Sequence, residues 1–158
     1  MIRVIAVGRI KEKPMQQCIQ EYLKRLQPYC KTEIVEVEDI AAPQSNSPAQ
    51  NEQVKQKEGE RILAKIRRDE IVVLLDLKGK SYTSEQLADQ LQQIFSYQGS
   101  QIAFVIGGSL GVSPEVIARA DLRWKMSDLT FPHQLCRLLV LEQIYRSFRI
   151  LNHEPYHK

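Results

Sequence analysis

Apolar runs and helical periodicities alternate along this chain. Ile2 to Val7 is a short apolar run that predicts a strand. From Met15 to Leu26, Cys18, Ile19, Tyr22, Leu23 and Leu26 recur at three- and four-residue spacing, which predicts a helix with one buried face. Thr32 to Val37 carries the β-branched Ile34, Val35 and Val37, a second strand. Ala41 to Ala49 is polar, holds two prolines and reads as a loop. A charged helix follows over roughly Glu52 to Arg67, turning Val54, Ile62, Leu63 and Ile66 to the core.

Ile71 to Leu77, apolar but for Asp76, is the run expected of a central strand covered on both faces. Ser84 is expected to cap a helix whose stripe is Leu87, Leu91, Ile94 and Phe95. A strand over residues 101–106, a short helix near Pro114, a strand Leu122 to Lys125 and a long helix from Pro132 to Leu151 complete the pattern. It predicts one α/β domain with a mainly parallel sheet and helices on both faces. The last helix is apolar almost all round, Leu138, Leu139, Val140 and Leu141 covering every side. One face meets the sheet, and a second subunit is expected on the other, so a homodimer is anticipated. A helix enclosed within its own domain is the alternative.

Charge changes this picture little. The 22 basic and 19 acidic residues leave a net +3, compatible with an RNA partner but far from a stand-alone nucleic-acid binder. Nothing approaches a membrane span, and the Ile2 to Val7 region lacks the pattern of a signal peptide. Cys18, Cys30 and Cys136 form neither a CxxC nor a zinc pattern. Reduced thiols in a cytoplasmic protein are the expectation.

Candidate chemistry gathers in the last third. Gly107-Gly108-Ser109-Leu110-Gly111 leaves one strand, and Met126 to Phe131 leads from another into the final helix. Loops at the C-terminal ends of strands are where an open α/β sheet binds a nucleotide-like ligand. Paired glycines also read as a tight turn needing positive φ. The run is not GxGxxG and lies in the fourth βα unit, so a nicotinamide cofactor is not expected. Leu77 to Ser81 superficially suggests a P-loop, but Leu74 stands where that motif needs glycine. His153 and His157 are separated by Pro155 and lack a third ligand, so no metal is expected. His133 is expected to cap or pack at the start of the last helix, with Pro132 in its first turn.

Several segments together resemble the RlmH group of SPOUT methyltransferases. They are Phe104 to Gly111, Leu129 to Gln134, Leu141 to Phe148 and the Pro155-Tyr156-His157-Lys158 tail, with Val4 to Lys13, Lys57 to Glu60 and Leu75 to Lys80. The resemblance spans the whole chain. It implies a homodimer whose C-terminal portion forms a trefoil knot that binds S-adenosylmethionine. It also implies methylation of N3 of a pseudouridine in 23S rRNA on the assembled ribosome. Carried over by motif, the cofactor contacts are Leu75, Gly107 with Gly108, and Met126, Ser127, Asp128, Leu129, Thr130 and Phe131.

The residues suit such chemistry. Leu75, Ile106, Leu129 and Phe131 can line an adenine slot, and Gly107 lets a ribose approach the backbone. His157 is the natural group to accept the N3 proton, Arg146 can stabilise the anion or hold a phosphate, and Glu142 can orient Arg146. Tyr156 can stack on the target base. In a two-fold dimer the tail of one subunit is expected to complete the pocket of the other. The plain alternative is a surface Glu142–Arg146 pair and a frayed tail. Two other functions stay open: methylation of another nucleotide such as a tRNA ribose, and a non-catalytic ribosome assembly factor.

Overall fold

The computed structural model describes residues 1–41 and 47–158. Five parallel strands form one sheet in the order β2-β1-β4-β3-β5. They are β1 Ile2–Val7, β2 Thr32–Val37, β3 Ile71–Ser81, β4 Ile102–Ile106 and β5 Leu122–Lys125. The helices are α1 Lys13–Leu26, α2 Pro48–Lys65, α3 Ser84–Gln93, α4 Pro114–Arg119 and α5 His133–Leu151. Successive strand side chains point to opposite faces and so feed two cores. Ile2, Val4, Val73 and Phe104 pack with Ile19, Leu91, Val140 and Ile144 of α1, α3 and α5. Ile5, Val7, Val72 and Val105 pack with Ile62 and Val116 of α2 and α4. This is the expected single α/β domain with helices on both faces.

Three helix starts differ from the expectation, two of them because a side chain caps the helix. The Ser47 hydroxyl accepts from the Gln50 N–H while the Gln50 side chain accepts from the Ser47 N–H, a reciprocal cap that draws Pro48 and Ala49 into α2. Of the expected loop over 41–49, residues 42–46 lie outside the described residues. Thr83, not Ser84, caps α3 through the same arrangement with Gln86. Pro132 occupies the cap position of α5, so His133 opens the helix and does not cap it. Strand β3 also runs past Leu77 to Ser81, because Lys80 and Ser81 pair again with β5.

Strand β5 lies at one edge of the sheet, whereas the start of α5 reaches β1 and β2. Arg137 of α5, 1% exposed, donates to the carbonyls of Val7 at 3.0 Å and Gly8 at 2.7 Å, and to Glu36 at 3.1 Å. Residues 126–132 must therefore cross back over the C-terminal ends of β3 and β4. A trefoil knot of the expected kind needs such a return path. At the other end of the sheet, Arg3 and Glu70 form a buried ion pair at 2.8 Å, remote from these loops.

Candidate active site

Three loops leave the C-terminal ends of the neighbouring strands β4, β3 and β5. The β4 loop owes its first two glycines to close approach, not to positive φ. Gly111 is the residue of that loop with positive φ, +93°. A Cβ on Gly107 would stand 2.5 Å from Val112 Cγ1, and one on Gly108 2.5 Å from Glu58 Oε1. Half-buried His133 stands near the Gly107 carbonyl. Burial, reinforced by Arg137, lowers its pKa against the pull of that carbonyl, leaving a neutral imidazole at pH 7.

The β3 loop is pinned to β5. Asp76 accepts from Arg123 Nε at 2.7 Å and from the Lys78 N–H at 2.9 Å. Leu75 is half-buried, and Leu77 beyond it is 60% exposed. In the β5 loop, Lys125 holds Asp128 at 2.6 Å and keeps its carboxyl below the usual range. The Ser127 hydroxyl accepts from the Leu129 N–H at 3.0 Å. Ser127 and Asp128 thus shape the loop itself. Met126 packs against the core, Phe131 is half-buried, Thr130 is exposed, and Leu129 is 69% exposed.

The remaining expected residues gather at the far end of α5. Glu142 accepts from Arg146 Nε at 2.8 Å and from the Tyr156 hydroxyl at 2.8 Å. The Arg146 guanidinium lies over the Tyr156 ring, 4.6 Å from its centroid, and 3.2 Å from His157 Nδ1. His157 Nε2 is 2.7 Å from Glu85 in the first turn of α3. The Tyr29 hydroxyl donates to Glu154 at 2.8 Å, and Arg149 bonds both. Burial and the Glu142 carboxylate push the pKa of Tyr22 and Tyr156 up, so both phenols remain donors at neutral pH. The tail is docked on α1, α3 and α5, not frayed.

Within one protomer the two clusters are well apart. Arg146 follows His133 by thirteen residues of continuous helix, roughly 20 Å at 1.5 Å per residue. Leu75, Gly107, Gly108 and residues 126–131 share the loop end. Glu142, Arg146, Tyr156 and His157 share the other. Sequence reasoning passed over Tyr22, Tyr29, Glu85 and, at the loop end, Glu58. The signal for Glu58 was its spacing: Val54, Glu58 and Ile62 put an acid on the buried stripe of α2. Among the described residues, no three His, Cys, Asp or Glu side chains are grouped to hold a metal ion, and no helix is long and apolar enough to cross a membrane.

The family model described as "Predicted SPOUT methyltransferase" matches residues 1–157. The chain belongs to the SPOUT methyltransferase family. It is 52% identical over 157 residues to the ribosomal RNA large subunit methyltransferase H of Carboxydothermus hydrogenoformans, covering 99% of each chain. The protein of the same name from Exiguobacterium sp. (strain ATCC BAA-1283 / AT1b) is 54% identical, again with 99% of each covered. Among solved structures, a probable methylase family protein from Haemophilus influenzae Rd KW20 superposes with a TM-score of 0.54 at 16% identity. That match covers 96% of this chain and 66% of the other, and shows likeness of fold. As a SPOUT methyltransferase the protein is an enzyme that uses a methyl donor.

Proposed function

We propose that this SPOUT methyltransferase transfers the methyl group of S-adenosylmethionine to N3 of a pseudouridine in 23S rRNA. In this reading it acts in the cytoplasm, as a homodimer, on the assembled ribosome. The observation that carries the reading is the end-to-end match, at about half identity, to relatives named for methylation of large-subunit ribosomal RNA.

The loop end suits this donor. Leu77 and Leu129 leave large apolar side chains exposed beside half-buried Leu75 and Phe131, as a flat, largely apolar adenine requires. Gly107 and Gly108 would meet the ribose through their backbone groups alone, since Val112 and Glu58 fill the space where a Cβ would stand on each. Leu75, Gly107, Gly108 and Met126 to Phe131 would hold the donor, with backbone amides and carbonyls of the β5 loop reading the adenine edge. When bound, its sulfonium supplies an electrophilic methyl group.

The target nitrogen is a weak acid and must give up its proton. His157 would accept it, while Arg146, braced by Glu142, stabilises the negative charge and Tyr156 stacks on the base. Because this cluster lies about 20 Å along α5 from the loops of its own protomer, a partner must bring its tail to them. Half-buried Leu135, Leu138 and Leu139 on α5 supply apolar surface for that partner. A net charge of +3 favours a preformed ribosomal surface over free RNA.

The test uses radiolabelled donor with ribosomes lacking the modification, isolated large subunits and bulk tRNA. Label in 23S pseudouridine, strongest with assembled ribosomes, is expected, and Gly107→Arg should abolish both labelling and donor binding. Label in tRNA would overturn the target. Donor binding without transfer to any RNA would favour an assembly factor.

A further inference from the structure

A second cleft, of about 1100 Å³, opens beside the glycine loop over the ends of β1 and β2. Its walls carry the cations Arg9, Lys11 and Arg137 and the acids Glu36, Glu38, Asp39 and Glu58, and through Gly108 it adjoins the donor loops. Arg9 and Lys11 are exposed, whereas Glu58 is 5% exposed. Glu58 Oε2 accepts from the Ile40 N–H at 3.1 Å. Oε1 is turned against Gly108, 2.5 Å from where a Cβ on that residue would stand. Burial, with the Asp39 carboxylate nearby, raises the pKa of this carboxyl against the pull of the Ile40 N–H and Arg61.

Resting on the pseudouridine reading, we propose that this cleft takes the target nucleotide and that Glu58 accepts a hydrogen bond from its N1–H. Glu58 is then the residue that tells pseudouridine from uridine. Uridine carries its sugar on N1 and has no proton there. Pseudouridine is joined through carbon and exposes that N–H. An acceptor at N1 leaves N3 clear for the donor held on the other side of Gly108. Arg9 and Lys11 would meet the flanking phosphates. With uridine in the cleft, the carboxylate would stay desolvated and unpaired, which is how a polar pocket rejects an analogue lacking one N–H.

The experiment compares methyl transfer to ribosomes bearing pseudouridine or uridine at the target position, and measures donor affinity by calorimetry. In Glu58→Gln the Ile40 N–H holds the amide oxygen, so the amide NH₂ faces the cleft and opposes the N1–H. Wild type is expected to favour pseudouridine by roughly 10–100-fold in kcat/KM, and Glu58→Gln by less than about threefold. Donor affinity should change by less than about twofold, since Glu58 is placed on the base and not on the donor. Glu58→Asp, shorter by one methylene, should lose the preference in part and serves if the glutamine variant does not fold. A wild type without preference, or variants that retain it, overturns the assignment. A joint loss of donor affinity also overturns it and gives the cleft to the donor's methionine end. A wild type that labels no rRNA sinks the underlying reading, and this inference with it.

Discussion

The contact between α2 and α4 leaves no room at Gly59. A Cβ there would stand 2.2 Å from Ser113 Oγ, 3.0 Å from Ser113 Cβ and 3.4 Å from Val116 Cγ2. Ser113 is 1% exposed and is not free to turn away, because its hydroxyl caps α4 by accepting from the Val116 N–H at 3.4 Å. Gly59→Ala gains about 1 kcal/mol of helix propensity. It endangers a cap worth about 1 kcal/mol and overpacks the contact by about 1–3 kcal/mol. The balance is a loss of roughly 1–3 kcal/mol, or about 2–4 °C of Tm for each kcal/mol in a domain of this size. Urea unfolding followed by circular dichroism, at fixed protein concentration, measures it directly. Ser113→Ala removes the oxygen in the shortest contact, so the double variant should cost about 1 kcal/mol less than the two singles together. A Gly59→Ala protein more stable than wild type, or strict additivity with Ser113→Ala, would refute the steric reading.

Deleting Tyr156 to Lys158 is expected to leave donor binding intact, since the donor loops lie at the other end of α5, while abolishing transfer to ribosomes. A truncated protein that methylates normally ends the composite-site idea. Glu58 makes a pH prediction. Its pKa is raised in the fold, so the stability tied to its protonated form is complete below the ordinary carboxylate pKa and is lost as pH rises through the raised value. Glu58→Gln should flatten that decline in Tm and match or exceed wild type at neutral pH. An unchanged decline would assign the pH dependence to other groups.

How much could be read from the residues follows from the range of the interactions. Ile2 to Val7 and Ile71 to Leu74 were legible as strands because a parallel sheet covered on both faces needs unbroken apolar runs. At Ser47 and Thr83 a side-chain cap, which hydrophobic spacing does not register, moves the helix start, and Pro132 stands outside α5 without a side-chain cap. The loops proposed to hold the donor were visible as glycine and proline segments after strands, yet the reason for Gly108 was not. It lies in Glu58, fifty residues earlier, whose carboxylate fills the space of a Cβ. The docked tail depends on still longer reach: Tyr29 meets Glu154 at a separation of 125 residues, and Glu85 meets His157 at 72. No local pattern encodes such pairs.

The separation of the two clusters decides the form of the active site. One continuous helix of 19 residues joins His133 at the donor loops to the base of the tail, and its length cannot shrink. A flexible tail could fold back on its own loops, but this one is anchored by Glu142 of α5, Glu85 of α3 and Tyr29 in the turn after α1. The rigid helix that holds Arg146 and His157 away from the loops of one protomer presents them to a second, provided that the half-buried leucines of α5 bury against it. In such an enzyme the dimer interface is part of the site. Apolar-to-charged substitution at half-buried Leu139, which holds no part of the donor, should therefore lower activity in step with dimer content, as read by sedimentation. A monomeric variant with full transfer would show that a single protomer suffices.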